Sequence, residues 1–279
     1  MRALALHADV IVLVSDVWQT TSTAVRAGDE GFLIDSPVLP EELRALPEVL
    51  EQAGFPVSGL LATHGDWDHL LGRLAFPDAA LGCAESTAER LGADPGAAQR
   101  RLRSFDDQHY IEDRPPLALG SLQALPVPGR LELGPTQPPT HPPARPGHEI
   151  ECHATGGHTA DGAAYWMPWL GVLVCGDYLS PVEIPMLSPG GSIDAYLDTL
   201  ERLAPLIESA EWVIPGHGAP LARQPALTIW SEDRAYLGQL SRDPAQAALP
   251  SSRAGRAQQR IHAANLAIAT SDVAQSSDS

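Results

Sequence analysis

The run Thr63-His64-Gly65-Asp66-Trp67-Asp68-His69 places two imidazoles and two carboxylates in one short turn. Packing alone does not call for four such side chains so close together, and a solvated polar turn is the plain alternative. Imidazole and carboxylate are donors suited to Zn, Fe or Mn, and their alternate spacing lets one loop aim several of them at a single point. The stretch before the run, 57–62, reads as a short buried strand, and Leu70 to Phe76 reads as the first turns of a helix. A cluster at the carboxyl end of a strand is where an α/β sheet places its chemistry.

The flanking pattern extends that reading. Residues 1–17 alternate in two runs, as a hairpin does, and 24–35 repeats strand, turn and strand around Gly28-Asp29-Glu30-Gly31. Pro40-Glu41-Glu42 opens a helix to about residue 53. A strand follows at 79–84, and Ser86 offers a cap for a helix through Leu91. Between 94 and 146 the periodicity weakens: a basic helical stretch at 97–104 precedes proline-rich segments with a short strand at 131–133. This segment reads as an excursion that covers or borders the site. Strands return at 147–155, 162–167, 171–175 and 211–214. Ser192 caps a helix over 193–207, helical patterns occupy 224–243 and 255–269, and 270–279 reads as a frayed tail. The expected organisation is one domain over 1–220 and a helical extension over 221–269.

Three more segments carry ligand-type side chains. Thr155-Gly156-Gly157-His158-Thr159 sets a histidine in a glycine-rich turn after a strand. Val174-Cys175-Gly176-Asp177 ends a buried strand on a carboxylate, and Val213-Ile214-Pro215-Gly216-His217-Gly218 ends another on a histidine between glycines. Each alone is weak, since Gly-Asp is an ordinary turn. Together, in order and each at a strand's end, they are strong.

In this order of motifs the chain resembles the metallo-β-lactamase-fold hydrolase superfamily, over about residues 1–220. The resemblance implies a mixed α/β, four-layer αββα sandwich with two divalent ions at one edge. By position, His64, Asp66 and His158 would hold the first ion, Asp68, His69 and His217 the second, and Asp177 would bridge them. Asp68 would also be catalytic, orienting a metal-bridging hydroxide and passing a proton to the leaving group. The usual first motif of the family has a histidine where this chain has Asp66. That makes the first site richer in anionic oxygen, so Zn remains the leading expectation while Mn or Fe gains ground.

The composition narrows the alternatives. With 35 acidic and 18 basic residues the net charge is −17, which opposes nucleic-acid binding. No apolar run is long enough to span a bilayer. Cys83, Cys152 and Cys175 stand apart in apolar stretches and read as buried reduced thiols, which suits a cytoplasmic setting. The resulting expectation is a metal-dependent hydrolase of a small-molecule ester, thioester or lactone. An iron-dependent oxidoreductase resembling sulfur dioxygenases and a phosphodiesterase of the same fold are the alternatives, and a binding protein that only retains the fold comes last. Trp67, Tyr178 and His109 are the candidate substrate contacts; His7, His141, His148, His153 and His262 read as surface or structural histidines. The C-terminal helices either pack on the sandwich, cap the site or offer a homodimer contact.

Overall fold

Period-two alternation of apolar residues builds two sheets with distinct faces. The computed structural model describes residues 1–120, 122–133 and 148–277. The first sheet runs, in spatial order, β1 (Arg2–His7), β2 (Val10–Val14), β3 (Thr21–Ala27), β4 (Glu30–Ile34), β5 (Gly59–Leu61), β6 (Leu81–Ala84) and β7 (Leu122–Leu125). Neighbours are antiparallel from β1 to β4 and parallel from β4 to β7. The second sheet contains β8 (Gly129–Leu133), β9 (His148–Ala154), β10 (Ala163–Met167), β11 (Val172–Val174), β12 (Trp212–Ile214) and β13 (Leu221–Ala222), ordered from β13 back to β8.

Among the described residues seven helices accompany them: α1 (Pro40–Gln52), α2 (Gly72–Ala75), α3 (Glu85–Ala93), α4 (Ala97–Gln108), α5 (Ile193–Ser209), α6 (Arg223–Arg242) and α7 (Arg256–Ser277). Three apolar clusters define the layers. Val12, Val14, Val25 and Ile34 meet Ile150, Tyr165, Met167 and Val174 between the sheets. Leu13, Leu33 and Leu60 face outward from the first sheet onto Leu46, Leu50 and Leu102 of α1 and α4. Leu173 and Val213 face outward from the second onto Leu200, Leu203, Tyr236 and Leu237 of α5 and α6. This is the expected αββα sandwich. All three cysteines are buried and free.

Several local expectations change. The segment 94–146 is less of an excursion than its composition suggests, because β7 completes the first sheet beside β6 and β8 pairs with β9 in the second. Both strands are largely exposed edges, which is why their apolar pattern is faint in the sequence. Its stretch 134–147, which includes His141, lies outside the described residues. Ser86 is no cap: α3 starts at Glu85, directly from the last residue of β6, so Ala84 takes the cap position. The stretch 70–76 holds only the four-residue α2, after a single tight turn at Trp67–His69. Ser192 does cap α5, its hydroxyl accepting from the Ala195 amide. The last helix continues to Ser277, past the frayed tail expected from 270. Among the described residues no helix is long and apolar enough to cross a membrane.

Candidate metal centre

Strand ends from both sheets meet at one edge of the sandwich. The loop after β5 brings His64, Asp66, Asp68 and His69; the turns after β9, β11 and β12 bring His158, Asp177 and His217. Glycine permits the close approach. A Cβ on Gly216 would stand 2.2 Å from the Asp177 carboxylate, and one on Gly157, at φ +110°, would strike the Tyr196 backbone at 2.1 Å.

All seven side chains converge. His158 Nε2 lies 3.5 Å from Asp66 Oδ2 and 3.3 Å from Asp177 Oδ2, and His64 Nε2 lies 3.7 and 3.8 Å from the same two oxygens. His69 Nε2 lies 3.6 Å from Asp68 Oδ2 and 3.2 Å from Asp177 Oδ1; for His217 Nε2 the values are 3.6 and 3.4 Å. Ligand atoms about 2.0–2.2 Å from one ion at tetrahedral angles stand roughly 3.3–3.6 Å apart, so these separations suit a shared cation. The groups His64/Asp66/His158, Asp68/His69/His217 and His64/His69/Asp177 each present donor atoms within 4.8 Å of one another. His64 Nε2, His69 Nε2, His158 Nε2 and Asp177 Oδ1 are buried and have no hydrogen-bond partner. Buried polar atoms are normally satisfied; a cation is the partner that fits these four.

The outward nitrogens fix how the rings point. His69 Nδ1 stands 3.0 Å from Asp35 Oδ2, and His158 Nδ1 donates to the Met186 carbonyl at 2.9 Å. His64 Nδ1 meets Thr63 Oγ1 at 3.1 Å, and His217 Nδ1 meets Thr20 Oγ1 and the Trp18 carbonyl, both at 3.3 Å. Bonds at Nδ1 of His64, His158 and His217, and the Asp35 carboxylate facing Nδ1 of His69, leave each Nε2 aimed inward as the free donor. Asp35 also accepts from the Thr63 amide and hydroxyl, at 2.8 and 2.9 Å, from a left-handed backbone at φ +58°. Trp18 and Gln19, in the turn that touches His217, share that strained region.

Electrostatics follow from the crowding. Burial acting alone would raise the Asp66 and Asp177 carboxyls; the neighbouring imidazoles overcome it and hold both well below the usual carboxylate range. Burial would lower His217, but Asp177 foremost draws it up to about 10. Asp66 has further support. Its Oδ1 accepts from Arg90 at 2.6 Å and Arg101 at 3.3 Å, leaving Oδ2 for the histidines. Arg90 also reaches Asp161 at 2.7 Å, and Asp161 accepts from the Gly65 amide and the Thr87 hydroxyl.

The three candidate substrate contacts are placed differently from one another. Trp67 is buried, with Phe105 of α4 5.0 Å away and Trp18, 47% exposed, 5.7 Å away. His109 ends α4, stacked at 4.0 Å on Phe105, so it closes this aromatic wall from outside. Tyr178 turns inward: it is buried against Tyr196, and its hydroxyl accepts from the His158 amide at 3.4 Å. The other described histidines have local partners: His7 with Asp9, His148 with Trp169, His153 with Glu151 and His262 with Tyr236. Asp35, Thr20, Arg90, Arg101, Asp161 and Trp18 are additions that reasoning from the sequence left out. Asp35 alone carried a local signal, since it ends an apolar strand as Asp177 does.

The sequence profile of the metallo-beta-lactamase superfamily matches residues 15–217. The chain belongs to this superfamily. Solved structures agree on the fold. A metallo-beta-lactamase family protein from Thermus thermophilus superposes with a TM-score of 0.61 at 22% identity, over 85% of this chain and 83% of that one. The DIM-1 metallo-beta-lactamase gives 0.58 at 18% identity, over 84% and 96%. The inverting sec-alkylsulfatase Pisa1 from Pseudomonas sp. gives 0.67 at 14%, over 87% of this chain and 42% of its own. No curated protein matches by sequence. The matched span ends at His217, so α6 and α7 lie beyond it.

Proposed function

We propose that this protein is a metal-dependent hydrolase of a small ester, thioester or lactone, with His64, Asp66 and His158 holding one divalent ion, Asp68, His69 and His217 a second, and Asp177 facing both. The observation that carries the reading is the set of buried, partnerless Nε2 and Oδ1 atoms spaced as ligands of common ions. A pair of ions bound there supplies an acidified water and a Lewis acid for the scissile carbonyl. The chain supplies the rest. Asp35, Thr63, Met186 and Thr20 keep the imidazoles oriented, and Asp68, only 7% exposed, stands between His69 and His217 to take a proton from the attacking water and deliver it to the leaving oxygen of an ester or lactone, or the leaving sulfur of a thioester.

The wall of Trp18, Trp67 and Phe105 beside the ligand loop favours an apolar group on the substrate. The fold leaves the substrate open, because a β-lactamase and an alkylsulfatase share it. The net charge of −17 supports a small molecule over nucleic acid. Asp66 favours one second reading, an iron-dependent oxidoreductase, since it makes the first triad richer in oxygen.

Elemental analysis of protein purified without added metal, beside Asp66→His, tests the reading. Two Zn or Mn ions per chain, with turnover on an ester, thioester and lactone panel, is the expected result; Asp66→His should raise the Zn share. Iron with oxygen uptake would move the assignment to the oxidoreductase. A chain that takes up no Zn, Mn or Fe would end both.

A further inference from the structure

The segment 175–192 joins β11 to α5 without regular structure, yet its part after Asp177 supports two of the four histidines. Its Met186 carbonyl accepts from His158 Nδ1, its Ser188 amide donates to the His158 carbonyl at 2.7 Å, and its Ser180 hydroxyl donates to the His217 carbonyl at 2.8 Å. A loop of this length needs something behind it to hold those groups still. What stands behind it is the C-terminal extension, outside the matched span of the superfamily.

Two buried polar residues make the connection. Asn265 of α7, wholly buried, accepts from the Leu187 amide at 3.0 Å and donates to the Pro185 carbonyl at 2.7 Å, bracketing Met186 on both sides. Arg253, in the turn between α6 and α7 and 3% exposed, donates through one nitrogen to the Ser180 and Glu183 carbonyls at 3.1 and 2.8 Å. Gln258 reaches the Val182 carbonyl between them. Each anchor is itself tied to α6: Arg253 pairs with Asp233 at 2.7 Å and Glu232 at 3.0 Å, and Asn265 donates to the Tyr236 hydroxyl at 3.1 Å. Gln258, His262 and Asn265 recur at helical spacing, so one face of α7 is given over to these contacts. Packing alone would be served more cheaply by apolar residues, since a buried polar group is costly unless its bonds are made.

We infer that the C-terminal extension is a clasp for the metal centre, in which Asn265 is a positioning residue for His158 and Arg253 a positioning residue for His217. The inference rests on the metal-centre reading above. It divides the labour: Asn265 acts on the His64/Asp66/His158 group and Arg253 on the Asp68/His69/His217 group. Loss of a direct outer contact to a metal-ligating side chain weakens ion affinity by about 10–100-fold; Asn265 and Arg253 act one residue further out, through Met186 and Ser180, so their effect is smaller.

The test uses the full chain, titrated with Co2+ or Zn2+ against a competing chelator, with the visible Co2+ spectrum, circular dichroism and Tm recorded alongside. Asn265→Leu should stay folded, bind one of two ions severalfold and at most about 10-fold more weakly, at the low end of what direct outer contacts give, and shift the Co2+ spectrum. Arg253→Lys, which keeps the charge but loses the guanidinium fork, should weaken the other ion. Added to His158→Ala, Asn265→Leu should weaken binding no further, whereas added to His217→Ala it should. Trp230→Phe is the control: it loses the Nε1–H bond to the Leu200 carbonyl, between α6 and α5 and away from the loop, and should lower Tm with both affinities intact. If Asn265→Leu and Arg253→Lys behave like Trp230→Phe, the extension only packs and the inference falls. If Asn265→Leu does not fold, Arg253→Lys decides by the same readouts. A wild-type chain that binds no ion overturns the metal reading, and the clasp with it.

Discussion

On the side of the first sheet two of the candidate ligands, His69 and Asp66, are propped by charged side chains, whereas His64 of the same loop and the candidate ligands of the second sheet are propped by neutral groups. Asp35 faces His69, and Arg90 with Arg101 holds one oxygen of Asp66 while Asp161 anchors Arg90 and the Gly65 amide. Across the site, His158 leans on a carbonyl and a tyrosine hydroxyl, and His217 on a threonine hydroxyl, a carbonyl and Ser180. The two kinds of support do different things. A carboxylate behind an imidazole raises its basicity as well as aiming it; a carbonyl or hydroxyl mainly aims it. The first sheet therefore tunes the electronics of His69 and Asp66, while the supports of His64, His158 and His217 mainly set geometry.

The largest effect belongs to the residue where the two supports meet. Asp177 turns Oδ1 to His69 and His217 and Oδ2 to His158 and His64. Asp177→Ala should abolish tight binding of both ions and lower turnover by more than about a hundredfold, beyond the range of outer-contact changes. Elemental analysis and a turnover assay check this, and retention of either ion at full affinity would show that the two groups are held independently.

A sharper comparison sets Asp35→Asn against Tyr178→Phe. Asparagine tolerates the left-handed backbone at Asp35; the variant removes the charge behind His69 and turns one of the two oxygens that accept from Thr63 into an NH2 donor. Ion affinity should fall about 10–100-fold. Tyr178→Phe removes a neutral bond of 3.4 Å and should cost about 0.5–1.5 kcal/mol of stability, with affinity changed severalfold at most. Chelator competition and thermal melts on both proteins decide. Equal losses of affinity would erase the distinction between charged and neutral support.

This division also explains what a reader of the sequence can find. The ligand-type residues are legible because each ends an apolar strand in a turn rich in glycine or aspartate, and strand ends on one edge of a sandwich must converge. The layers are legible from the alternation in β2, where Val12 and Val14 face one way and Leu13 the other. Arg90 and Arg101 are not legible: they are two arginines on α3 and α4, and only the packing of those helices brings them to Asp66. Charge counting over the ligand aspartates alone therefore misses their partners. The same holds for Asn265 and Arg253, whose partners in the loop are backbone carbonyls and an amide 70–80 residues away.

The smallest effect tests whether charge matters where it supports the fold and no ligand directly. Glu42, 4% exposed in the first turn of α1, accepts from the Ser15 hydroxyl at 2.6 Å and from the Asp16 and Leu39 amides at 2.9 and 3.0 Å. It thereby ties α1 to the turn whose Trp18 carbonyl and Thr20 hydroxyl meet His217. Burial alone would raise its carboxyl; the bonds from Ser15, Asp16 and Leu39 outweigh that and lower it below 4.5. A depressed folded value means stability that is present above 4.5 and lost as pH falls through the folded value. Glu42→Gln should cost about 1–3 kcal/mol at pH 7, with ion affinity close to wild type. Denaturant melts of both proteins should converge as pH drops below 4.5. A gap that stays constant into acid would mean that the shape of the side chain, and not its charge, holds the turn against α1.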